Sequence, residues 1–330
     1  MRFLVTGGAG FIGSHLTERL LAQGHRVTVL DNLSTGKREN IPPHARLTFI
    51  QENVLTCSAN ALSRASDRPS YDGLAHLAGT PSVANSWINP LAAHHNTLSS
   101  TVSAIQLAQQ LNIPRLVFAS SAAVYGDRLT TPIAEDQPTH PVSPYGLQKL
   151  TSERYLSLFA KQLNCSAVNL RLFNVFGPRQ DPHSPYSGVI SIFAEALRHN
   201  ADITINGKGQ QTRDFIYVKD VAIAFEQALT APIAPGTALT CNIGTGKAIS
   251  IAQLKTALQS CFPHWTASTH YAPARAGDIQ NSQADISKAR LYLGFTPQYS
   301  VRDGLIALYK SLLEKHPASD RLKVEIQARA

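Results

Sequence analysis

The sequence predicts an α/β fold: a doubly wound parallel sheet of the Rossmann type with a second, smaller mixed α/β domain. Three observations indicate this fold. The chain opens with a strand, a glycine-rich turn, a helix, a second strand and a terminal acid, the order of a dinucleotide-binding unit. Apolar strands then alternate with helices as far as Phe173, which is typical of a parallel sheet with right-handed crossovers. After Phe173, prolines interrupt the alternation and shorter elements follow.

The first unit ends at Asp31. Its first strand, Phe3-Leu4-Val5, is a short apolar run typical of a strand buried on both faces. The glycines at 7, 8, 10 and 13 match both G-x-G-x-x-G and G-x-x-G-x-x-G, a helix is expected over Ser14–Ala22, and Arg26–Leu30 is the second strand. Glycines let the backbone approach a pyrophosphate, and the terminal acid accepts hydrogen bonds from ribose hydroxyls. This order predicts an NAD site that disfavours NADP; an ordinary strand–helix turn without a ligand is the alternative.

Further strands and two long helices extend the predicted sheet. The strands are expected at Leu47–Ile50, Gly73–Leu77, Leu116–Ala119 and Ser166–Phe173, the helices at about Pro90–Leu111 and Pro144–Leu163, and Asn242-Ile243-Gly244 as a late strand that returns to the main sheet.

Composition and charge narrow the class of function. The 330 residues are 43% hydrophobic, and no apolar run approaches the roughly 18 residues of a membrane-spanning helix, so no membrane partner is expected. Because the sequence opens directly into a strand, no signal peptide is expected, and the four cysteines show no C-x-x-C spacing. We therefore expect a reducing, cytoplasmic location and no metal site. The net charge of +8 comes without any run of Lys or Arg, which argues against nucleic acid. It suits a doubly anionic nucleotide substrate or is simply a basic surface.

A tyrosine and a lysine one helical turn apart form the candidate catalytic pair. Tyr145 and Lys149 stand at i and i+4 in SPYGLQK and therefore share one helix face. An ammonium beside a phenol lowers the pKa of the phenol, and a bound nicotinamide cation would lower it further, so Tyr145 can act as a general base. Ser121 follows the strand Leu116–Ala119, at the sheet edge where open α/β proteins bind ligands.

Taken in order, the motifs resemble those of the extended short-chain dehydrogenases/reductases, specifically the nucleotide-sugar 4-epimerases of the UDP-glucose and UDP-N-acetylglucosamine group. The resemblance covers nearly the whole chain. The matching motifs are GGAGFIG (7–13), DNLSTG (31–36), HLAG (76–79), SSAAVYGD (120–127), SPYGLQK (143–149), LRLFNVFGPRQ (170–180), RDFIYVKDVA (213–222), NIGTG (242–246) and ARAGDIQNSQADISKA (274–289).

The resemblance implies a role for each matched position. The implied catalytic residues are Ser121, Tyr145 and Lys149, with Tyr145 as the acid/base. The residues implied to hold NAD are Gly7, Gly10, Phe11, Ile12, Asp31, Asn32, Ser34, Gly36, Asn53, Val54, Leu77, Ala78, Gly79, Tyr145, Lys149 and Phe173. Those implied to hold the UDP-sugar are Ser82, Ser121, Tyr145, Asn174, Val189, Thr204, Asn206, Arg213, Arg275, Asp278 and Ser282. The implied division is an NAD-binding Rossmann domain (1–173 with 213–245) and a nucleotide-sugar-binding domain (174–212 with 246–330).

Within the implied substrate site, Arg213 and Arg275 are implied to bind the diphosphate. Thr204 and Asn206 are implied to bind the uracil. Ser282 falls beside the 2-substituent of the sugar, where relatives restricted to plain hexoses carry tyrosine. A small side chain leaves room for an acetamido group, so UDP-GlcNAc and UDP-GalNAc are the expected substrates, together with UDP-glucose and UDP-galactose.

The implied reaction is 4-epimerisation. Tyr145 takes the C4 hydroxyl proton while hydride passes to NAD⁺, and hydride then returns to the opposite face of the 4-keto sugar. Three alternatives stay open. A UDP-glucuronate 4-epimerase shares the same triad. A dehydratase or decarboxylase is disfavoured, because those relatives place an acid directly after the catalytic Ser or Thr, where this chain has Ala122 and Ala123. A non-catalytic NAD-binding regulator is disfavoured by the complete triad.

The two long helices are expected to pair with their twofold mates in a four-helix bundle, giving a homodimer; alternatively they only cover the sheet. The apolar residues that motivate this pairing are Leu98, Val102, Ile105, Leu150 and Leu158.

Three positions depart from the family pattern. Asn53 replaces an Asp beside the adenine, and its amide is expected to keep bonding the base. Thr97 replaces an Asn near the cofactor, and Ser191 stands where many relatives have Pro.

Overall fold

The computed structural model describes residues 1–64, 70–127, 130–181, 188–262, 264–274 and 279–315. Its strands are β1 (Arg2–Thr6), β2 (Arg26–Asp31), β3 (Leu47–Gln51), β4 (Gly73–His76), β5 (Arg115–Ser121), β6 (Ser166–Leu172), β7 (Asn174–Phe176), β8 (Ile203–Asn206), β9 (Thr212–Arg213), β10 (Phe215–Tyr217), β11 (Ala238–Ile243), β12 (Ile249–Ser250) and β13 (Thr269–Ala272). Its α-helices are α1 (Phe11–Ala22), α2 (Ala59–Arg64), α3 (Val83–Ile88), α4 (Pro90–His94), α5 (Ser100–Gln110), α6 (Pro144–Gln162), α7 (Val189–Arg198), α8 (Val218–Thr230), α9 (Ile251–Cys261), α10 (Ser287–Leu293) and α11 (Val301–Lys315).

A seven-stranded sheet forms the centre of the fold, in the order β11-β6-β5-β4-β1-β2-β3. All neighbouring strands in it pair in parallel. The chain order reverses between β1 and β4, which leaves a crevice outside the carboxyl ends of these two strands. The predicted Rossmann-type sheet is therefore confirmed, including the late strand, which adds at the edge as β11.

Helices cover both faces of the sheet. On one face α1 and α8 pack through buried residues such as Leu16, Leu20 and Phe225. On the other face α5 and α6 pack through Ile105 and Leu156. Ile105 is only 1% exposed in its own chain, so it does not belong to the dimer face that the sequence predicted for it.

A further core lies among the elements that follow β6. Buried residues of α7, α9 and α11, such as Phe193, Leu254 and Leu305, pack there with the parallel pair β8–β13. The division into two domains stays a prediction. It differs from the packing at two places: Ala289 and Leu293 of α10 pack in the core of the main sheet, whereas Phe215, Tyr217 and Val218 pack in the further core.

The helix predicted over 90–111 is interrupted by a π-helical turn at His95–Ser99, between α4 and α5. Hydroxyl groups bond to main-chain carbonyls there: Ser100 Oγ donates to Asn96 O at 2.9 Å and Thr101 Oγ1 to Thr97 O at 2.8 Å. Such local bonds compete with the regular α-helical pattern. None of the helices in the described residues is both long and apolar enough to cross a bilayer.

Candidate active site

A cavity of about 1060 Å³ opens at the carboxyl ends of the main strands. Asp31 at the end of β2, Ser121 at the end of β5 and Leu172 at the end of β6 line it, as expected for a crevice at a switch point. Every residue that the sequence implied for NAD also lines this cavity.

The glycine turn between β1 and α1 lets a ligand approach the main chain closely. Gly7 has φ of +73°, and a Cβ on Gly13 would lie 2.1 Å from the Gly7 carbonyl oxygen, so a side chain fits at neither position. Gly10 is the N-cap of α1 and offers no side-chain hydrogen bond to the first turn. The N–H groups and the positive end of the helix dipole are therefore available to a phosphate.

Asp31 stands at the other side of this turn and is held by two main-chain groups. Its Oδ2 accepts from Ala9 N at 2.9 Å and its Oδ1 from Leu33 N at 2.8 Å. A carboxylate has further acceptor capacity at both oxygens, so it can also accept from ribose hydroxyls. Asn53 accepts from Leu55 N through Oδ1 at 3.0 Å, which leaves its amide nitrogen to donate to a base. The turn, the uncapped helix and the acid together fit a dinucleotide.

The predicted catalytic residues meet deeper in the cavity. Ser143 caps α6 by accepting from Gly146 N at 3.1 Å, and Ser86 Oγ accepts from Tyr145 N at 3.1 Å. Lys149 Nζ donates to Ala119 O at 2.7 Å and lies 5.8 Å from the centroid of the Tyr145 ring. Ser121 acts on the Tyr145 phenol and lowers its pKa, so the three residues form one group.

Burial dominates the electrostatics of this group. It raises the pKa of Tyr145 to about 12, an effect that the hydrogen bond from Ser121 opposes. It lowers the pKa of Lys149 to about 8, and the negative charge of Glu153 opposes that shift. From the sequence we expected a Tyr145 pKa below its ordinary value. The pKa is instead raised, because burial of the phenol is the largest cause, and the Lys149 ammonium is bonded to the Ala119 carbonyl.

The residues implied for the UDP-sugar are less closely gathered. Ser121, Tyr145 and Asn174 line the cavity, and Val189 begins α7 directly after the lining residue Gly188. Ser82 is buried as the N-cap of α3, where its hydroxyl accepts from Asn85 N.

Four further implied substrate residues are described and lie beyond the cavity lining. Thr204 and Asn206 lie on β8, with Thr204 exposed, and Arg213 lies on β9. Ser282 is buried, and its main-chain N–H donates to Thr212 O at 3.2 Å, which sets it beside the strand that carries Arg213. Arg275 and Asp278 lie outside the described residues.

The structure adds lining residues that the sequence analysis did not assign. Those on the side away from the glycine turn include Arg179, Gln180, Asp181, Glu195, Arg198, Leu308, Ser311 and Leu312. The motif LRLFNVFGPRQ contains Arg179 and Gln180 and could have indicated them. No sequence motif indicated the lining residues of α11. Ser191, one of the three departures, donates through Oγ to Gln180 Oε1 at 2.6 Å and so fixes a side chain of the lining. The Thr97 hydroxyl, another departure, is buried without a partner among the described residues.

Comparison with known proteins decides the family. The model of the NAD dependent epimerase/dehydratase family matches residues 3–244. The chain belongs to this family. Its cofactor is therefore NAD, as the glycine turn and Asp31 predicted, and the resemblance stated from the motifs is confirmed.

Relatives and solved structures agree with this membership. A UDP-glucose 4-epimerase of Mycolicibacterium smegmatis is 36% identical over 92% of this chain and 96% of its own length. A UDP-N-acetylglucosamine 4-epimerase from Methanobrevibacter ruminantium M1, solved with UDP-N-acetylmuramic acid, has a TM-score of 0.88 at 34% identity and covers 95% of this chain and 98% of its own. A UDP-glucuronic acid 4-epimerase from Bacillus cereus was solved with UDP-glucuronic acid and NAD. It has a TM-score of 0.85 at 30% identity and covers 96% of this chain and 100% of its own.

Proposed function

We propose that this protein is an NAD-dependent UDP-sugar 4-epimerase that interconverts UDP-GlcNAc with UDP-GalNAc and UDP-glucose with UDP-galactose. The observation that carries the proposal is the group formed by half-buried Ser121 with buried Tyr145 and Lys149 in the NAD crevice. Ala122 and Ala123 follow Ser121, so no acid stands at the position that a dehydratase or decarboxylase would use. The 4-epimerases among the relatives support the same reaction class.

The residues of the chain have separate tasks in this reaction. The chemistry that NAD supplies when bound is acceptance of hydride from C4 of the sugar and its return. Tyr145 Oη takes the C4 hydroxyl proton and later gives it back. Ser121 Oγ, which acts on the phenol in the structure, orients the 4-oxygen. Lys149 places a positive charge within 5.8 Å of the ring centroid, where it stabilises the phenolate as it forms.

The same residues serve a UDP-glucuronate 4-epimerase equally well, so that activity is the second candidate. The observation that favours it is the similarity to the Bacillus cereus enzyme at a TM-score of 0.85. The two candidates differ in the group at C5 of the sugar, and UDP-glucuronate therefore belongs in every substrate panel.

Ser282 is proposed to set the space beside the 2-substituent. Its side chain is small and buried, and it lies next to β9. We expect Ser282→Tyr to lower kcat/KM for UDP-GlcNAc at least about tenfold while kcat/KM for UDP-glucose falls far less, because a ring would fill the acetamido space. Both rates are measured by chromatography of the 4-epimers, with Ser282→Ala as the control that keeps the space open. Equal losses for the two sugars would remove the basis for this assignment.

Cofactor choice gives a second test. We expect the purified protein to carry NAD or to be activated by it, and to prefer it to NADP, because the fixed carboxylate of Asp31 repels a 2′-phosphate. Release of the bound nucleotide by acid and its mass identify it, and titration with each dinucleotide gives the preference. Asp31→Asn should reduce the preference for NAD over NADP. Equal affinity of the wild-type protein for NAD and NADP would contradict the role of Asp31.

We further propose a homodimer formed through α3, α4 and α6, which pack against one another. Large apolar side chains are exposed on these helices, including Ile88 (81%), Leu158 (70%) and Leu91 (67%). Covering such a patch favours association. Light scattering should give twice the 35.7 kDa chain mass at micromolar concentration, and Leu158→Glu should shift the protein toward the monomer. A wild-type monomer at that concentration would contradict the proposal.

A further inference from the structure

Three successive turns of α6 each contact one residue at the end of β5. Ser121 acts on the Tyr145 phenol and lowers its pKa, Lys149 Nζ donates to Ala119 O at 2.7 Å, and Glu153 Oε1 accepts from Ser120 Oγ at 2.5 Å. The first two contacts belong to the catalytic group. The third involves a carboxylate that the proposed reaction does not use, although it is 4% exposed and bonds the residue directly before the catalytic serine.

The Glu153 carboxylate is held from the neighbouring strand. Arg171 on β6 donates to both of its oxygens, from Nε at 2.9 Å and from Nη2 at 2.7 Å. The Arg171 guanidinium also lies 4.8 Å from the centroid of the Tyr125 ring, which fixes its plane. A bidentate pair of this kind sets the orientation of a carboxylate as well as its charge.

We propose that Glu153 and Arg171 are positioning residues of the active site: Arg171 orients the Glu153 carboxylate so that it fixes Ser120 beside Ser121 and sets a negative charge one helical turn from the Lys149 ammonium. The inference rests on the proposed function, because the rates that it concerns are those of Tyr145 and Lys149. Its physical basis is that misplacement of a catalytic group by about 1 Å can cost a hundredfold in rate.

The charges around Lys149 explain why Glu153 matters. Burial lowers the pKa of Lys149 to about 8, and Glu153 opposes the shift. His76 on β4 faces the same ammonium, but burial lowers its pKa to about 3, so it carries no charge at neutral pH. Tyr145 on the same helix is neutral until it gives up its proton. The positive charge of Arg171 is paired directly with the Glu153 carboxylate. Among the described residues, Glu153 is thus the negative charge that opposes the loss of the Lys149 proton.

The neutral isostere Glu153→Gln tests the proposal. We expect kcat to fall about tenfold with KM for the UDP-sugar and NAD content nearly unchanged. Lys149 then loses its nearby negative charge, so its pKa falls and the alkaline limb of the kcat profile moves about one unit lower. The midpoint of Lys149 itself is followed by NMR of ¹³Cε-labelled lysine, assigned with Lys149→Met, and should move in the same direction. This titration does not depend on turnover, so it separates failure of the inference from failure of the proposed function.

Two further variants and a control complete the test. Glu153→Gln combined with Arg171→Met leaves no unpaired buried charge, so it keeps the test valid if the single variant does not fold. It should still show the lowered Lys149 midpoint. Ser120→Ala keeps the ion pair and should lower kcat about threefold without moving the alkaline limb. Glu226→Gln is the control. It makes the same change in the ion pair of Arg19 and Glu226, which joins α1 to α8 away from the catalytic group. It should leave both kcat and the alkaline limb of the kcat profile unchanged.

A merely structural pair would give a different result. Glu153→Gln would then lower the melting temperature while kcat, the alkaline limb and the Lys149 midpoint stayed at their wild-type values, and the proposal would be overturned. If the wild-type protein epimerised no UDP-sugar but its Lys149 midpoint still moved in Glu153→Gln, the proposed function would fail while the electrostatic link between Glu153 and Lys149 held.

Discussion

Replacing Tyr145 by phenylalanine should lower the epimerisation rate at least about 10²-fold and as much as 10⁴-fold, the usual range for loss of a positioned acid/base. This corresponds to about 3 to 5 kcal/mol of transition-state stabilisation. The change removes only the hydroxyl, and the buried ring keeps its packing against Lys149. Binding of UDP-sugar and of NAD should therefore stay nearly unchanged, which calorimetry and nucleotide content can measure.

Tyr71→Phe is the matched control for this prediction. Tyr71 is also buried, and its hydroxyl bonds Thr28 Oγ1 at 3.3 Å, in the core near β2 and outside the cavity lining. It should lower stability by about 1 kcal/mol and leave kcat within about twofold of wild type. Turnover of Tyr145→Phe near the wild-type rate would refute the acid/base role, whatever the control shows.

Replacing Gly13 by alanine should give a protein that no longer retains NAD and turns over at least about a hundredfold more slowly. A Cβ at this position would lie 2.1 Å from Gly7 O and 2.8 Å from Gly8 Cα, and both are main-chain atoms of the turn itself. The turn must therefore shift, and with it the N–H groups that α1 presents to the pyrophosphate. Added NAD should raise the melting temperature of the wild-type protein but hardly that of the variant.

Gly10→Ala provides a graded comparison in the same turn. Its Cβ would meet only Gly7 O, at 3.3 Å, so a small adjustment can accommodate it. We expect this variant to lose less NAD affinity than Gly13→Ala. Full retention of NAD by Gly13→Ala would show that the turn is not the pyrophosphate site.

The sheet was predictable from the sequence because buried parallel strands are short apolar runs between helices. The first six predicted strands are present with their ends shifted by at most two residues, and the late strand begins four residues earlier than predicted, at Ala238. The NAD crevice was predictable from the first strand–turn–helix–strand unit, since its glycine turn and its terminal acid, Asp31, lie close together in the sequence. The gathering of Ser121 with Tyr145 and Lys149 was predictable because one follows a strand at the ligand-binding edge and the other two share a helix face.

Features that depend on tertiary contacts were not predictable in the same way. The direction of the Tyr145 pKa shift is set by burial, which the i, i+4 spacing does not report. Ile105 looked like a surface residue by its position in an apolar stripe, but it packs in its own core. The π turn at His95–Ser99 depends on hydroxyl–carbonyl bonds that periodicity does not reveal. The far side of the cavity is built by α7 and α11, which are distant in sequence from the NAD motifs.

Proton NMR of UDP-GlcNAc incubated with the purified protein tests the central claim most directly. We expect UDP-GalNAc to appear, the same equilibrium mixture to form from either sugar, and no net NADH to accumulate, because the hydride removed from C4 returns to it. UDP-glucose and UDP-glucuronate run in parallel identify the preferred sugar. Absence of any 4-epimer from all three UDP-sugars, or formation of a dehydrated or decarboxylated product instead, would contradict the assignment as a UDP-sugar 4-epimerase.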